Sequence, residues 1–505
     1  MGWLARHVTA KPSPVNPRPD REGRPEQAAR LLSARTKRIV PWLCGTALFM
    51  ELLDATIVNT AVPSMASALH APPLSLKTVL TSYTLSLAVF IPVSGWMADR
   101  FGTRAIFSSA IAVFLSGSLA CGLAVNVPML VVSRILQGMG GAMMTPVGRL
   151  VLVRTFPREE IIRAMNYVVI PSLIGPLVGP FVGGLIVHWV DWRAIFFLNL
   201  PLGGIGLWLI RRHMPDYRST HVAPLDWHGF ALFGTGIALL SHVLEVFSEH
   251  AWHVSSLLAM TAIAAGLLFA YARHTQRTAD PVLQLAFFKT RTFRVSIVGG
   301  VLTRIGIGGM SFLLPLLYQL GLGYTPWQAG LLMVPQAIAA ILMKVISAWV
   351  LQRLGHRRVL VANTVMLGAT IAGFANIWVG APVSVILLLS FSQGFFSSLQ
   401  FTSMNSLVFA DVSDVDASKA STIFSTAQQL SLSFGVAISS LVVAFFLHVA
   451  SGPPAMRLVT PLHHTFVTLG LLTTLSAWYF AALRPDDGAN VSHHQAALEP
   501  DAATT

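Results

Sequence analysis

The chain has 505 residues, of which 54% are hydrophobic and only 11% are charged, and its formal net charge is +13. Soluble domains carry about 25% charged residues, so a soluble chain of this length could not cover its surface with so few charges. A surface that faces lipid needs no such cover, and the composition therefore indicates a membrane protein. The basic residues recur in short clusters between apolar runs, which excludes the single basic stripe of a nucleic-acid-binding protein.

The two ends of the chain differ from its interior. Residues 1–38 are polar, basic and rich in proline, and the first apolar run after them is too long for the core of a cleavable signal peptide. We interpret these residues as a disordered cytoplasmic tail, and residues 485–505 as a second one. Cys44 and Cys121 lie in separate apolar runs, a pattern that predicts neither a disulfide framework nor a metal site.

Long apolar runs divide the interior of the chain. A transmembrane helix needs about 20 mostly apolar residues, and the sequence contains about fourteen such runs. They begin near Ile39, Lys77, Arg104, Met129, Arg163, Ala194, Trp227, Val254, Phe293, Trp327, Val359, Val383, Thr422 and His464. The predicted fold class is therefore an all-α polytopic membrane protein.

Basic residues alternate between the loops, as they do when one side of the membrane retains them. The even-numbered loops hold the clusters, whereas the odd-numbered loops hold only Lys77, Arg193 and Arg457. The alternation continues along the whole chain and places both termini in the cytoplasm. The twelfth loop is the weakest point, because its aspartates outnumber Lys419, but acidic residues count little in this rule.

The second and tenth loops share an ungapped motif. The matched pairs are Trp96 with Trp349, Arg100 with Arg353, Gly102 with Gly355 and Arg104 with Arg357. At nearly the same offset, the Gln137-Gly138 pair of span four matches Gln393-Gly394 of span twelve. Both matches shift by eight spans, whereas two adjoining six-helix halves would give six, so two extra helices lie between the halves. The predicted domains are a six-helix half at 39–213, two inserted helices with their linker at 214–285, and a second six-helix half at 286–484.

Five segments, in order, resemble one transporter family. They are Leu53–Pro63 in span one, Gly95–Arg104 in the second loop, Arg134 with Gln137-Gly138 in span four, Gly175–Gly184 in span five, and Trp192–Gly203 after it. The second loop is similar to the signature loop of the major facilitator superfamily. The first and last segments resemble its fourteen-helix drug:proton antiporter branch, the EmrB/QacA type, and span five resembles the antiporter motif.

This resemblance implies the major facilitator fold, with two six-helix halves and two inserted helices in the inner (plasma) membrane of a bacterium. It implies a proton-coupled efflux transporter that exports hydrophobic drug-like compounds by alternating access. The expected partners are a small-molecule substrate, protons and the lipid bilayer, with no nucleic acid; a periplasmic adaptor and an outer-membrane channel stay open. No enzymatic activity and no cofactor beyond the proton gradient are expected. The sequence contains no G-x-x-x-x-G-K-[ST] motif, which excludes an ATP-driven pump domain in this chain.

Five ionisable residues lie well inside the apolar runs: Glu51, Asp54, Arg134, Arg304 and Lys344. A charge at mid-bilayer costs roughly 2.5–3.5 kcal/mol, so these side chains should face one another, a watery cavity or the substrate. Glu51 and Asp54 are three residues apart and share one helix face, and helix rise places Asp54 and Arg134 at similar depth. The resemblance implies coupling and substrate roles for Asp54 and Arg134; a structural ion pair between two helices is the alternative.

Arg304 and Lys344 approach the midplane from the cytoplasmic side, on adjacent spans. Two cations at one depth predict an anionic group on the substrate, or a salt bridge across the halves to Glu51 or Asp54. Snorkelling of the two side chains to the cytoplasm is the simpler alternative. Export of an organic anion, such as a carboxylate metabolite, is therefore the second candidate function. A membrane-bound sensor and a channel are weaker alternatives, because the tails are short and polar and span five is antiporter-like.

The second loop is predicted to act as a gate, with tight turns at Gly95 and Gly102. Asp99, Arg100 and Arg104 would form a charge lock with a neighbouring helix end, the alternative being a simple positive-inside anchor.

Span five is predicted to pack closely on a neighbouring helix. Its small residues Gly175, Gly179, Gly183 and Gly184 let another backbone approach, and Pro180 removes a helix hydrogen bond. Close packing alone, or a hinge that also seals against proton leakage, would explain the pattern.

Overall fold

A computed structural model describes residues 34–220, 222–247, 254–413, 416–449 and 458–492. Every long element within these ranges is a helix, in agreement with the predicted all-α class. Nearly all of the predicted N-terminal tail lies outside the described residues. The helices begin a few residues earlier than predicted in several places, and α1 starts at Ala34, because a helix continues into the polar region beyond the apolar run that marks it.

Eight helices make up the first part of the chain. They are α1 (Ala34–Ala68), α2 (Lys77–Phe101), α3 (Thr103–Gly122), α4 (Val127–Thr155), α5 (Arg158–Trp189), α6 (Ala194–His213), α7 (Trp227–Phe247) and α8 (Val254–Thr275). The second part contains α9 (Arg291–Leu316), α10 and α11 (the two arms of Pro326–Gly373), α12 (Val383–Val408), α13 (Ala417–Val449) and α14 (Val459–Leu475). Short helical turns lie between them at Pro73–Leu76, Leu285–Lys289, Leu317–Gly321 and Phe374–Asn376, and two more follow α14 at Ala477–Phe480 and Ala489–Ser492.

Twelve continuous helices in the described ranges are long and apolar enough to cross a membrane. The helix Pro326–Gly373 has 48 residues, about 72 Å at 1.5 Å per residue and more than twice the thickness of the hydrocarbon core. Gly355 breaks it with a φ of 71° and a ψ of 161°, so its arms 326–354 and 356–373 are separate spans. With 17 residues, α14 is only just shorter than the others, and after Ser476 it continues into Ala477–Phe480. Counting the two arms separately and adding α14 raises the twelve helices to the fourteen predicted spans.

The two halves repeat one packing scheme. α1 packs on α5 as α9 packs on α13, and α2 packs on α4 as α10 packs on α12. Gly102 and Gly355, which the sequence repeat matches, both have positive φ angles, 99° and 71°. Glycine adopts this conformation without the steric penalty of a side chain, so the chain turns in the same way after corresponding helices. This is the arrangement that a repeat shifted by eight spans requires.

Two helix pairs form most of the junction between the halves in the described chain, α2 with α13 and α5 with α10. The sequence repeat relates the two pairs to each other. Because α2 corresponds to α10 and α5 to α13, the pair of α2 with α13 corresponds to the pair of α10 with α5. The inserted helices α7 and α8 pack on each other, and α7 also contacts α2 and α13. The inserted pair therefore flanks one of the two joints without separating the halves.

We call the side on which α1 begins the terminal face, and the opposite side the far face. The halves meet at the far face, where Gly184 of α5 lies against Pro326 of α10. One turn deeper, Gly330 of α10 lies against the carbonyl of Pro180. A hydrophobic core cluster with members from both halves surrounds this contact. The far face is thus sealed by close backbone contact between α5 and α10.

Substituting Gly330 by valine should prevent this seal from closing. A Cβ atom at Gly330 would lie 2.4 Å from the Pro180 carbonyl oxygen, and a backbone atom cannot move aside cheaply. Electron paramagnetic resonance between spin labels at the exposed far-face positions Val190 and Val379 should give longer distances in Gly330→Val. The control is Gly204→Val on α6, where a Cβ atom meets nothing within 4 Å. Equal distance distributions in the two variants would contradict the assignment of the seal.

Part of the predicted C-terminal tail is packed against the terminal face. Asp487 accepts two hydrogen bonds from the Arg291 guanidinium, at 3.0 and 2.6 Å. The Asn490 amide donates to the Ala410 carbonyl at 2.5 Å. The packed C-terminal half therefore extends to Ser492, past the predicted boundary at residue 484.

Asp226 caps the N-terminus of α7 and joins it to α8. Its carboxylate accepts a hydrogen bond from the Gly229 N–H at 2.8 Å and lies 2.7 Å from the His274 ring on α8. Burial alone would raise the pKa of Asp226, but the hydrogen bonds and the His274 charge outweigh it and lower the pKa. The stability that the ionised carboxylate adds is present above the ordinary aspartate pKa, and it is lost as pH falls through the lowered folded value.

Asp226→Ala should therefore lower the free energy of unfolding by about 1 kcal/mol at neutral pH, the usual contribution of an N-cap. At a pH below the folded pKa of Asp226 the difference from the wild type should become small, because the wild-type carboxyl is then protonated and no longer carries the charge that the variant lacks. Thermal unfolding in detergent at several pH values measures both effects. Asp280→Ala, at an exposed aspartate, is the control and should change little; a pH-independent loss in Asp226→Ala would contradict the cap.

Candidate functional site

Asp54 lies at the centre of a closed polar network in the N-terminal half. Asp54 and Arg134 are 0% and 1% exposed and form an ion pair with an N–O distance of 2.5 Å. The second carboxylate oxygen accepts hydrogen bonds from Gln137 at 2.8 Å and from Asn199 at 3.0 Å. A buried ion pair repays its desolvation only when further hydrogen bonds satisfy its remaining groups, and this pair has them.

The network extends through neighbouring helices. The Arg134 guanidinium lies 4.1 Å from the centre of the Tyr83 ring on α2, a favourable cation–π contact. The Asn199 amide also lies 3.0 Å from the Ser118 hydroxyl on α3. The sequence interpretation did not single out Asn199; its position inside the family-like segment Trp192–Gly203 was the available signal.

Asp54 and Arg134, which the sequence places at similar depth, are in direct contact. The geometry is that of the structural pair considered as the alternative to coupling. A proton on Asp54 would break the pair and leave the buried Arg134 without its counter-ion.

Glu51 lies about one helix turn closer to the terminal face. Its carboxylate accepts a hydrogen bond from the Thr145 hydroxyl at 2.6 Å, and its side chain is 6% exposed. Arg149, one turn further along α4, interacts electrostatically with Glu51 and is itself exposed. Glu51 therefore lies beside a basic side chain that reaches the accessible surface. The sequence interpretation missed Arg149, although the spacing of four from Thr145 places both residues on one face of α4.

A cavity of about 470 Å³ lies between the halves, within the usual size range of small-molecule sites. Helices α1 and α5 line it on one side, and α9, α10, α12 and α13 line it on the other. Much of its wall is apolar, with members such as Leu177, Ile307 and Met333. Lys344 is the one charged residue among the described residues that line it, and its side chain is exposed. Lys344 thus borders the cavity and is not enclosed by neighbouring side chains.

Arg304 lies just behind this wall, on α9. Its side chain is 0% exposed, and none of its three guanidinium nitrogens has a hydrogen-bond partner among the described residues. Its Cζ atom lies 5.0 Å from the ring centres of both Phe401 and Phe424, which line the cavity. Cation–π contacts compensate only part of the lost hydration of a charge. Arg304 is therefore a buried cation without a counter-ion in the described part of the chain.

The structure does not bring Arg304 or Lys344 to the N-terminal acids. Asp54 pairs with Arg134, and Glu51 binds Thr145. The predicted salt bridge across the halves is wrong, because helix rise gives a residue's depth but not the direction in which its side chain points. Snorkelling is also excluded for Arg304, which is wholly buried.

The sequence as a whole matches one protein family. The model of the Major Facilitator Superfamily matches residues 44–296 and 296–500. The chain belongs to the major facilitator superfamily. It is a multi-pass membrane transporter and not an enzyme, and transporters of this family generally work without a cofactor.

Curated relatives agree with this family, and solved structures agree with its fold. The chain is similar to the putative multidrug resistance protein MdtD of Pectobacterium atrosepticum, with 37% identity over 447 residues that cover 88% of this chain and 95% of the relative. The POT family transporter PepTSo has a similar fold, with a TM-score of 0.65 and 12% identity over 88% of this chain and 99% of that chain. A D-xylose-proton symporter gives a TM-score of 0.64 and 15% identity over 91% and 99%.

The signature loop of the transporter carries its ion pair within the N-terminal half. Asp99 accepts a hydrogen bond from Arg154 at the end of α4 at 2.7 Å, and another from Ser219 at 3.0 Å. Gly102 supplies the tight turn and lies against Asp216. The loop is thus held to the end of its own half in this conformation.

The remaining residues of the predicted gate are Arg100, Arg104 and Gly95. Arg100 and Arg104 are exposed at the terminal face. The predicted turn at Gly95 is wrong, because α2 continues through this residue to Phe101. A glycine within an apolar run gives no local sign of whether the helix ends there, and membrane helices tolerate glycine.

The antiporter-like segment of the transporter packs in two directions. Gly179 faces Thr56 on α1, where a Cβ atom would lie 2.2 Å from the hydroxyl, and Gly175 and Gly183 also face α1. Gly184 faces α10 across the joint between the halves, and Pro180 lines the cavity. One helix thereby packs within the N-terminal half and also forms part of the seal with α10.

Proposed function

We propose that this transporter exports hydrophobic drug-like compounds across the inner membrane of a bacterium in exchange for protons. The observation that carries the proposal is the largely apolar cavity between two repeat-related halves, closed at the far face and bordered by the exposed Lys344 on the terminal-face side. The relatives named multidrug resistance proteins support both the direction of transport and the kind of substrate.

The terminal face is the cytoplasmic face in this proposal. The basic residues Arg100, Arg104, Arg154 and Arg353 lie at that face, and cytoplasmic loops retain lysine and arginine. The conformation described above is then open to the cytoplasm and closed to the periplasm. A periplasmic adaptor and an outer-membrane channel stay predictions.

The two main joints between the halves, α2 with α13 and α5 with α10, support alternating access. Rocking of one half against the other would part α5 from α10 at the far face and close the cavity at the terminal face. The Asp99–Arg154 pair belongs to one half and would move with it as a unit. The binding site would stay near the midplane throughout the cycle.

Proton coupling is assigned to Glu51, and Asp54 is assigned a structural role. A proton on Asp54 would remove the negative charge that pairs with the buried Arg134 guanidinium and would weaken the hydrogen bonds from Gln137 and Asn199. Glu51 has a single described side-chain hydrogen bond, from Thr145, and lies beside the exposed Arg149. It can therefore exchange a proton with water and leave the ion pair intact.

Transport into inside-out vesicles tests the proposal. A lipophilic fluorescent dye should accumulate when the vesicle interior is made acidic, and an ionophore that removes the pH gradient should abolish accumulation. Vesicles without the transporter supply the background. Dye movement that is indifferent to the gradient in the complete transporter would overturn proton-coupled export.

A further inference from the structure

The charges around the central cavity are unbalanced. Lys344 points into it, and no carboxylate occurs among the described residues that line it. The two acids closest in sequence to the lining residue Leu52 are engaged elsewhere, Asp54 with Arg134 and Glu51 with Thr145. A site for a cation would be expected to present an acid, whereas this cavity presents an ammonium group.

Arg304 adds a second cation at the same wall. Its guanidinium is buried, has no hydrogen-bond partner in the described chain and lies between the rings of Phe401 and Phe424. An unpaired charge in a protein interior is strongly destabilising and is kept where it has a function. Both rings also line the cavity, so one layer of aromatic side chains separates the guanidinium from the space in which a ligand would lie.

The surroundings of Arg304 would allow an anion to reach it. Gly300, one turn earlier on α9, leaves space for the guanidinium, since a Cβ atom there would lie 2.7 Å from its Nη1 atom. Met404, on the same side, is a flexible neighbour that can repack. Rotation of the Phe401 or Phe424 ring would expose two parallel N–H groups, which match the two oxygens of a carboxylate.

We propose that the cavity binds amphipathic organic anions. The carboxylate first meets Lys344 and then binds Arg304 after the two phenylalanine rings part, while the apolar body lies on wall residues such as Leu177, Ile307 and Met333. This inference rests on one part of the proposed function, namely that the cavity is the substrate site of the transporter. It narrows the drug-like compounds to those that carry an acidic group.

Three matched probes test the charge preference. They share one apolar body and differ in the head group: 4-phenylbutyrate, 4-phenylbutanol and 4-phenylbutylamine. Calorimetry on the full-length transporter in lipid nanodiscs should show the carboxylate binding at least tenfold more tightly than the alcohol, and the amine more weakly than either. Equal affinity for the carboxylate and the amine would overturn the proposal.

Two variants locate the site. Arg304→Met should remove the preference for the carboxylate over the alcohol, and Lys344→Gln should reduce it, whereas Arg353→Gln outside the cavity should leave it unchanged. Arg304→Met should also unfold at the same temperature as the wild type or higher, because it replaces an uncompensated buried charge by an apolar chain of similar length. An unchanged preference in Arg304→Met, or a lower unfolding temperature, would overturn the assignment of Arg304.

Failure of this inference and failure of the proposed function give different results. If lipophilic cations are exported with the pH gradient, and equally well by Arg304→Met, the transporter is a proton-coupled exporter and the anion site is refuted. If the carboxylate preference is present and depends on Arg304 but no gradient-driven flux occurs, the anion site is supported and the proposed coupling is refuted.

Discussion

Asp54→Ala should lower the free energy of unfolding of this transporter by about 3–5 kcal/mol, the cost of removing one partner of a buried ion pair. The substitution leaves Arg134 charged, 1% exposed and without its counter-ion. It also removes the acceptor of the hydrogen bonds from Gln137 and Asn199. The double variant Asp54→Ala/Arg134→Met should be less destabilised than Asp54→Ala alone, because no unpaired charge is then left.

Thermal unfolding followed with a thiol-reactive fluorogenic dye measures this effect on the native cysteines, without engineered labelling sites. Cys44 and Cys121 are both free and buried, so they react only when the helices around them open. Asp191→Ala is the control, since Asp191 forms an exposed ion pair with Arg193 that should contribute at most about 1 kcal/mol. Equal unfolding temperatures for Asp54→Ala and Asp191→Ala would show that the Asp54 network does not hold the half together.

Glu51→Gln should abolish accumulation driven by a pH gradient while the transporter stays folded and still exchanges substrate. The amide cannot take up or release a proton, but its oxygen can still accept the hydrogen bond from Thr145. Gradient-driven uptake into inside-out vesicles should therefore fall to the level seen with an ionophore. Substrate exchange between equal pH on both sides should continue, because it needs no net proton movement.

A second carboxylate provides the control for Glu51. Glu160 is half exposed at the terminal face, where it lies 3.5 Å from Lys37, and Glu160→Gln should transport normally. If Glu51→Gln accumulates substrate at the wild-type rate, the coupling proton binds elsewhere. Asp54 would then be the next candidate for the coupling proton, and Asp54→Asn is the substitution that best keeps the shape of its side chain.

The positions of the spans, the repeat and the turn after α2 could be predicted from the sequence, because each leaves a local signal. Apolar length marks a span, loop charge marks its sidedness, and a repeated glycine marks a turn that side chains disfavour. Gly102 and Gly355 illustrate this, since their match in sequence corresponds to a match in backbone angle. Gly95 shows the limit of the same reasoning, because α2 continues through it.

The direction of each buried side chain was not predictable in this way. The sequence identified Glu51, Asp54, Arg134, Arg304 and Lys344 as the ionisable residues within the membrane, since few such residues are tolerated there. It could also estimate their depth, because helix rise is constant. Which charge meets which depends on the rotation of each helix and on contacts between residues far apart in sequence. Only the tertiary structure places Asp54 against Arg134 and brings Asn199 to the same carboxylate. It also leaves Arg304 behind two phenylalanine rings, without a hydrogen-bond partner in the described part of the chain.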